Sequence, residues 1–123
     1  MKRKLLFLIS SLIIFYPQEL SARDLVKVVD AEDGVIDYVW RDSINKKGKI
    51  VWWRTERVRY GADGNLKTHL IVDFSGDCSN MSYRIQKVYN QISGEKILTP
   101  KRLVSASPES VGFSLLEYVC SPK

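Results

Sequence analysis

The sequence predicts an α+β domain, an antiparallel meander of about six strands followed by one C-terminal helix that a disulfide ties to the sheet. Three observations carry this. Glycine-containing turn signals recur between residues 33 and 94 at the short intervals of a small β-rich domain. Between them apolar and polar residues alternate, as on strands with one buried face. The chain has two cysteines, Cys78 in a predicted turn and Cys120 at the end of a stretch with helical spacing.

Leu25 to Asp30 reads as the first strand, and Asp33-Gly34 supplies the turn into a second. There Ile36, Tyr38 and Trp40 alternate with Asp37 and Arg41 and so share one face. Lys46-Lys47-Gly48 turns the chain into the longest strand, Lys49 to Tyr60, and Gly61 to Asn65 closes a hairpin into the fourth. Leu66, Thr68, Leu70, Val72 and Phe74 line one face of that strand; Lys67, His69, Ile71 and Asp73 line the other. Gly76 to Asn80 makes the turn that carries Cys78. Tyr83 to Ile92 follows as a fifth strand with Tyr83, Ile85 and Tyr89 expected on one side, and Ser93-Gly94 leads to a short sixth, Glu95 to Thr99. Short connections between consecutive strands make an antiparallel meander the simplest arrangement.

Ser107-Pro108-Glu109-Ser110 has the form of a helix start, with Ser107 as cap, proline in the first helical position and an acid in the first turn. Val111, Leu115, Leu116, Val119 and Cys120 then recur near helical spacing. This apolar stripe requires a partner, and the exposed face of the sheet is the one available.

The first 22 residues have the parts of a secretory signal: a basic start at Lys2, Arg3 and Lys4, an apolar run from Leu5 to Tyr16, and a small-residue exit at Ser21-Ala22. Residues 1–22 are therefore expected to be removed, leaving residues 23–123 as a single domain. The run is about a dozen residues, short of the roughly 20 that span a bilayer. No later segment is apolar enough to do so, and no cysteine precedes Cys78 to carry a lipid, so a periplasmic or secreted product without a lipid anchor is expected. The chain has 19 Lys and Arg against 14 Asp and Glu; removal of Lys2, Arg3, Lys4 and Glu19 leaves 16 against 13, a net charge of +3. This modest excess, with no recognition motif, argues against a nucleic-acid partner.

In an exported chain, two cysteines form one structural bond. Closing a loop of about 43 residues predicts roughly 4 kcal/mol of stabilisation on the chain-entropy account. The alternatives fit less well: the cysteines are not in a C-x-x-C arrangement, and His69, the single histidine, cannot complete a zinc site without carboxylates.

Asp42-Ser43-Ile44, Lys46, Gly48, Lys49 and Val51-Trp52, followed by Asp77-Cys78, Tyr83-Arg84-Ile85, Tyr89, Pro108-Glu109-Ser110 and Tyr118-Val119-Cys120, resemble the bacterial surface-adhesin protein E family. The resemblance covers nearly all of the domain. It implies a bent sheet of about six strands with the helix on its concave face, held there by the disulfide. It also implies adhesion to host matrix proteins or a related role at the cell envelope.

The candidate ligand contacts lie in Trp52 to Tyr60, where three arginines and three aromatics fall within nine residues. Trp53, Arg57 and Arg59 alternate along one side and suit a protein or anionic macromolecule. The competing structural account makes Trp52 core and the arginines a solvated edge. No catalytic residue, metal or cofactor is expected. Asp30, Glu32, Asp33 and Asp37 do not match a calcium loop, His69 reads as an ordinary exposed residue, and no nucleophile motif accompanies it. A non-enzymatic exported binding module is the leading expectation. The alternative is a small hydrolase in which the fold pairs carboxylates such as Asp37 and Glu56.

Overall fold

A computed structural model describes residues 24–31 and 33–121. The expected signal, its cleavage site and Glu32 lie outside the described residues. Strands β1 (Leu25–Asp30), β2 (Val35–Trp40), β3 (Asn45–Lys47), β4 (Ile50–Tyr60), β5 (Leu66–Asp77), β6 (Ser82–Asn90), β7 (Glu95–Ile97) and β8 (Val104–Ser105) precede helix α1 (Val111–Cys120), with a 3₁₀ turn at Arg41–Ser43.

The strands form one antiparallel sheet in the order β1-β2-β4-β5-β6-β7; β3 also pairs with β4, and β8 with β6. The sheet thus has eight strands rather than about six, although it is six wide. β3 follows β2 along one edge of β4, and β8 shares an edge of β6 with β7. Lys46 and Lys47, expected in a turn, are extended and pair with Val51 and Ile50, so the turn itself is at Gly48-Lys49. β8 is a two-residue pairing, too short for any alternation to reveal it.

Helix α1 covers one face. Leu115, Leu116 and Val119 are buried against Val39 of β2, Val51 and Trp53 of β4, and Val72 and Phe74 of β5. Trp53 stacks on Phe74 with ring centroids 4.9 Å apart, and Phe74 meets the edge of Tyr83. The helix can sit this close because residue 76 is glycine: a Cβ there would stand 2.7 Å from Leu116 Cδ2 and 3.2 Å from the Ser82 carbonyl oxygen. The C-terminal end of the helix is fastened by the Cys78–Cys120 disulfide. Lys46 adds hydrogen bonds from Nζ to the Cys120 and Ser121 carbonyls at 3.2 and 3.3 Å, a cation where the helix end is negative.

Two local expectations are corrected. Between Asp73 and Phe74 of β5 the partner jumps from Lys87 to Ile85, so Gln86 is an extra residue in β6. This bulge reverses the alternation: Tyr83 and Ile85 lie on the helix side, whereas Tyr89, paired with Ile71, lies on the other. The helix starts three residues later than expected. Ser110 is its cap, accepting the Phe113 N–H at 3.2 Å, while Ser107 to Ser110 forms a preceding turn closed by Ser110 N–H to the Ser107 carbonyl at 3.0 Å.

Candidate functional site

The face of the sheet opposite α1 carries a depression of about 210 Å³. Strand alternation builds it: Trp40 ends β2, Arg54 and Glu56 come from β4, His69, Ile71 and Asp73 from β5, and Lys87 and Tyr89 from β6. The β4–β5 register places Arg54 opposite Asp73 and Glu56 opposite Ile71. All alternate with residues that face the helix, so the pattern that fills the core on one side assembles this polar cluster on the other.

Arg54 and Asp73 are paired, and Glu56 is held between two rings. Arg54 donates from Nε and Nη2 to the two Asp73 oxygens at 2.7 and 3.1 Å, and its guanidinium carbon lies 5.0 Å from the Trp40 ring centroid. The planar fork satisfies the carboxylate while its face stacks on the indole. Hydrogen bonding to Asp73 raises the Arg54 pKa further, against the opposing effect of partial burial. Glu56 bridges two rings: Oε1 accepts from Trp40 Nε1 at 3.0 Å, and Oε2 lies 2.5 Å from His69 Nε2. The 3₁₀ turn fixes the cluster from below, since Ser43 Oγ donates to the Trp40 carbonyl at 2.6 Å and accepts the Arg54 N–H at 2.9 Å.

The placement of the sequence candidates is mixed. Cys78 and Cys120 are bonded, with Cα atoms 5.7 Å apart. Trp53 is only 3 % exposed and belongs to the core, its indole N–H donating to Thr55 Oγ1 at 2.9 Å; the outward position that a ligand contact needs goes instead to Trp52, at 40 %. The expected parity of the two tryptophans is therefore reversed, because the Trp53–Phe74 stack takes the inner position. Arg57 faces the helix side, where Nε and Nη2 each donate at 2.8 Å to the fully buried Asp37. Arg59 is exposed near the end of β4.

Comparison with protein-family models, curated proteins and solved structures finds no significant match.

Asp37 and Glu56 bond to partners on opposite faces of the sheet, so the fold does not bring these two carboxylates together. His69 is not freely exposed; its side chain is 22 % accessible and is engaged by Glu56. Asp30 pairs with Lys27, and Asp33 Oδ1 accepts the Val35 N–H. Among the described residues no group of three or more His, Cys, Asp or Glu could hold a metal. The Arg54–Asp73 and Glu56–His69 pairs went unnoticed in the sequence. Alternation along β5 groups His69, Ile71 and Asp73 on one face, but the Gly61–Asn65 hairpin does not give their partners on β4, because the register shifts by one residue between Arg59 and Tyr60.

Proposed function

We propose that this chain is an exported, non-enzymatic binding module, similar to the surface-adhesin protein E family. It takes a macromolecular ligand, a protein or an anionic polymer of the envelope or host matrix, on the sheet face that α1 leaves open. The observation that carries the proposal is the preformed Trp40–Arg54–Asp73 and Glu56–His69 cluster, bordered by Lys87 and by Tyr89, which is 39 % exposed. Aromatic and arginine side chains with fixed rotamers dominate interface energies, because little entropy is lost when they are covered. A shallow depression of about 210 Å³ suits a protruding group of a larger partner better than an enclosed small substrate. The adhesin resemblance, with its bent sheet concave toward the helix, supports the same class of function. Export is supported by the disulfide, which forms and persists in oxidising compartments. No helix among the described residues is long and apolar enough to cross a membrane.

The test is a pull-down of matrix and envelope fractions by the purified domain, run beside a Lys87→Glu/Tyr89→Ala double variant. Retained components should be lost with the variant while its circular dichroism and melting temperature stay unchanged. Equal retention by both proteins, or none by either, defeats the proposal.

A further inference from the structure

Helix α1 roofs only part of its face. Beside its first turns a groove of about 360 Å³ runs over β4, β5 and β6. Its floor and walls are apolar: Leu70, Val72 and Phe74 of β5, Ile85 and Val88 of β6, and Val111 and Leu115 of the helix. Gly112 and Tyr83 meet at the helix start, where a Cβ on Gly112 would lie 2.8 Å from the Tyr83 ring carbon Cζ and from its hydroxyl. Among the described residues Arg57 is the one cation in the lining. Its guanidinium is oriented by two bonds from Nε and Nη2 to Asp37, and Nη1 has no protein partner among the described residues. Thr55 and Tyr83 supply hydroxyls nearby.

We infer that this groove binds an amphiphile with one apolar chain and an acidic head, of which a medium-chain fatty carboxylate is the simplest case, with the chain over Leu70, Val72 and Val88 and the head on the outer edge of Arg57. An apolar cleft of this size with a few convergent polar groups is the usual form of a small-molecule site. At roughly 30 Å³ per water-sized unit, the volume holds about a dozen such units, a chain of about ten carbons with its head. The acid head is argued from charge. An oxygen bonded to the outer edge of Arg57 lies nearer to the guanidinium than to the carboxylate behind it, and Coulomb energy falls with separation, so attraction exceeds repulsion. Because Asp37 already fixes the fork, little rotamer entropy is lost on binding. The inference concerns the face opposite the proposed macromolecular surface and does not rest on that proposal.

Isothermal titration of the purified domain with decanoate, below its micellar concentration, should show saturable one-to-one binding. 1-Decanol should bind more weakly by roughly tenfold or more, because it lacks the charge-assisted bonds. Leu70→Glu places a competing carboxylate directly across the strand pair from Arg57 and should weaken decanoate binding by a similar factor. Lys47→Glu, exposed on β3 and outside the groove, should leave it unchanged. On adding decanoate to the wild type, NMR methyl shifts should concentrate at Val72, Val88, Val111 and Leu115. A flat titration, equal affinity for decanol, or full binding by a folded Leu70→Glu overturns the inference. Groove shifts that follow protein concentration rather than decanoate also overturn it, since a second copy of the chain would then be the occupant. If Leu70→Glu fails to fold, the wild-type head-group comparison and the shift map decide the question without it.

Discussion

Arg57 holds the fully buried carboxylate of Asp37 through two 2.8 Å hydrogen bonds across the β2–β4 pair, while remaining partly exposed itself. One residue is buried charge and the other its only salt-bridge partner among the described residues. Removing the arginine strands the carboxylate, and an uncompensated buried charge costs about 3 to 5 kcal/mol. Arg57→Gln should therefore lose stability near the lower end of that range, since Arg57 itself is partly solvated, whereas exposed Arg59→Gln should stay within about 0.5 kcal/mol. Urea unfolding of the two variants checks the contrast. Similar midpoints would mean that water reaches Asp37.

Cys78 and Cys120 are 42 positions apart in the chain and join the turn after β5 to the last residue of α1. Cys78→Ser and Cys120→Ser should each cost about 4 kcal/mol on the loop-entropy account. The double variant should be no worse than either single, because each single already removes the whole bond. Differential scanning calorimetry under non-reducing conditions measures all three, and thiol titration of the folded wild type should detect no free sulfhydryl.

Ser110, not Ser107, accepts the Phe113 N–H at the start of α1. Ser110→Ala should cost about 1 kcal/mol, the usual loss for a hydroxyl cap. Ser107→Ala should cost little, because residue 107 contributes its backbone carbonyl to the turn and alanine retains that group. Equal losses in chemical denaturation would place the cap at the earlier serine.

The hairpin around Gly61–Asn65, the half-buried face of β5 and the apolar stripe of α1 were legible because each is a local period in the sequence. Gln86 was not. A bulge adds one residue with no compositional mark, and it moved Tyr89 to the face that now forms part of the candidate site. Trp52 and Trp53 are chemically identical neighbours, and the buried one is the one that shares a face with Val51 and Thr55 and stands opposite Phe74. The arginines posed the same problem. Arg54, Arg57 and Arg59 look alike in sequence, yet they are respectively an open-face ion pair, the partner of a buried acid and an exposed side chain.

Asp77 should shape the acid limb of the stability curve. Its carboxylate is held below the usual range first by the Ser79 hydroxyl at 2.6 Å, then by the Ser79 and Asn80 N–H groups, with Lys49 adding attraction. A carboxyl whose folded pKa is depressed contributes stability above its unfolded pKa, and that contribution is lost as pH falls through the folded value. Asp77→Asn should consequently lower stability at neutral pH and flatten the loss seen below about pH 4. Denaturant midpoints measured across this range in both proteins test it; parallel curves would contradict the assignment.

The tether at Cys120 lies at the opposite end of α1 from the groove. Disulfide and Lys46 together make the C-terminal end a fulcrum, and the far end of the helix, Val111 and Gly112, is held by packing alone where it borders the cleft. A ten-residue helix is about 15 Å long, so a rotation of about 10° at the fulcrum moves its first turn by about 2.5 Å. A displacement of that size would leave the covalent link intact. Under reducing conditions that covalent fixed point is lost, and the helix keeps its seat only through the burial of Leu115, Leu116 and Val119 and the Lys46 hydrogen bonds.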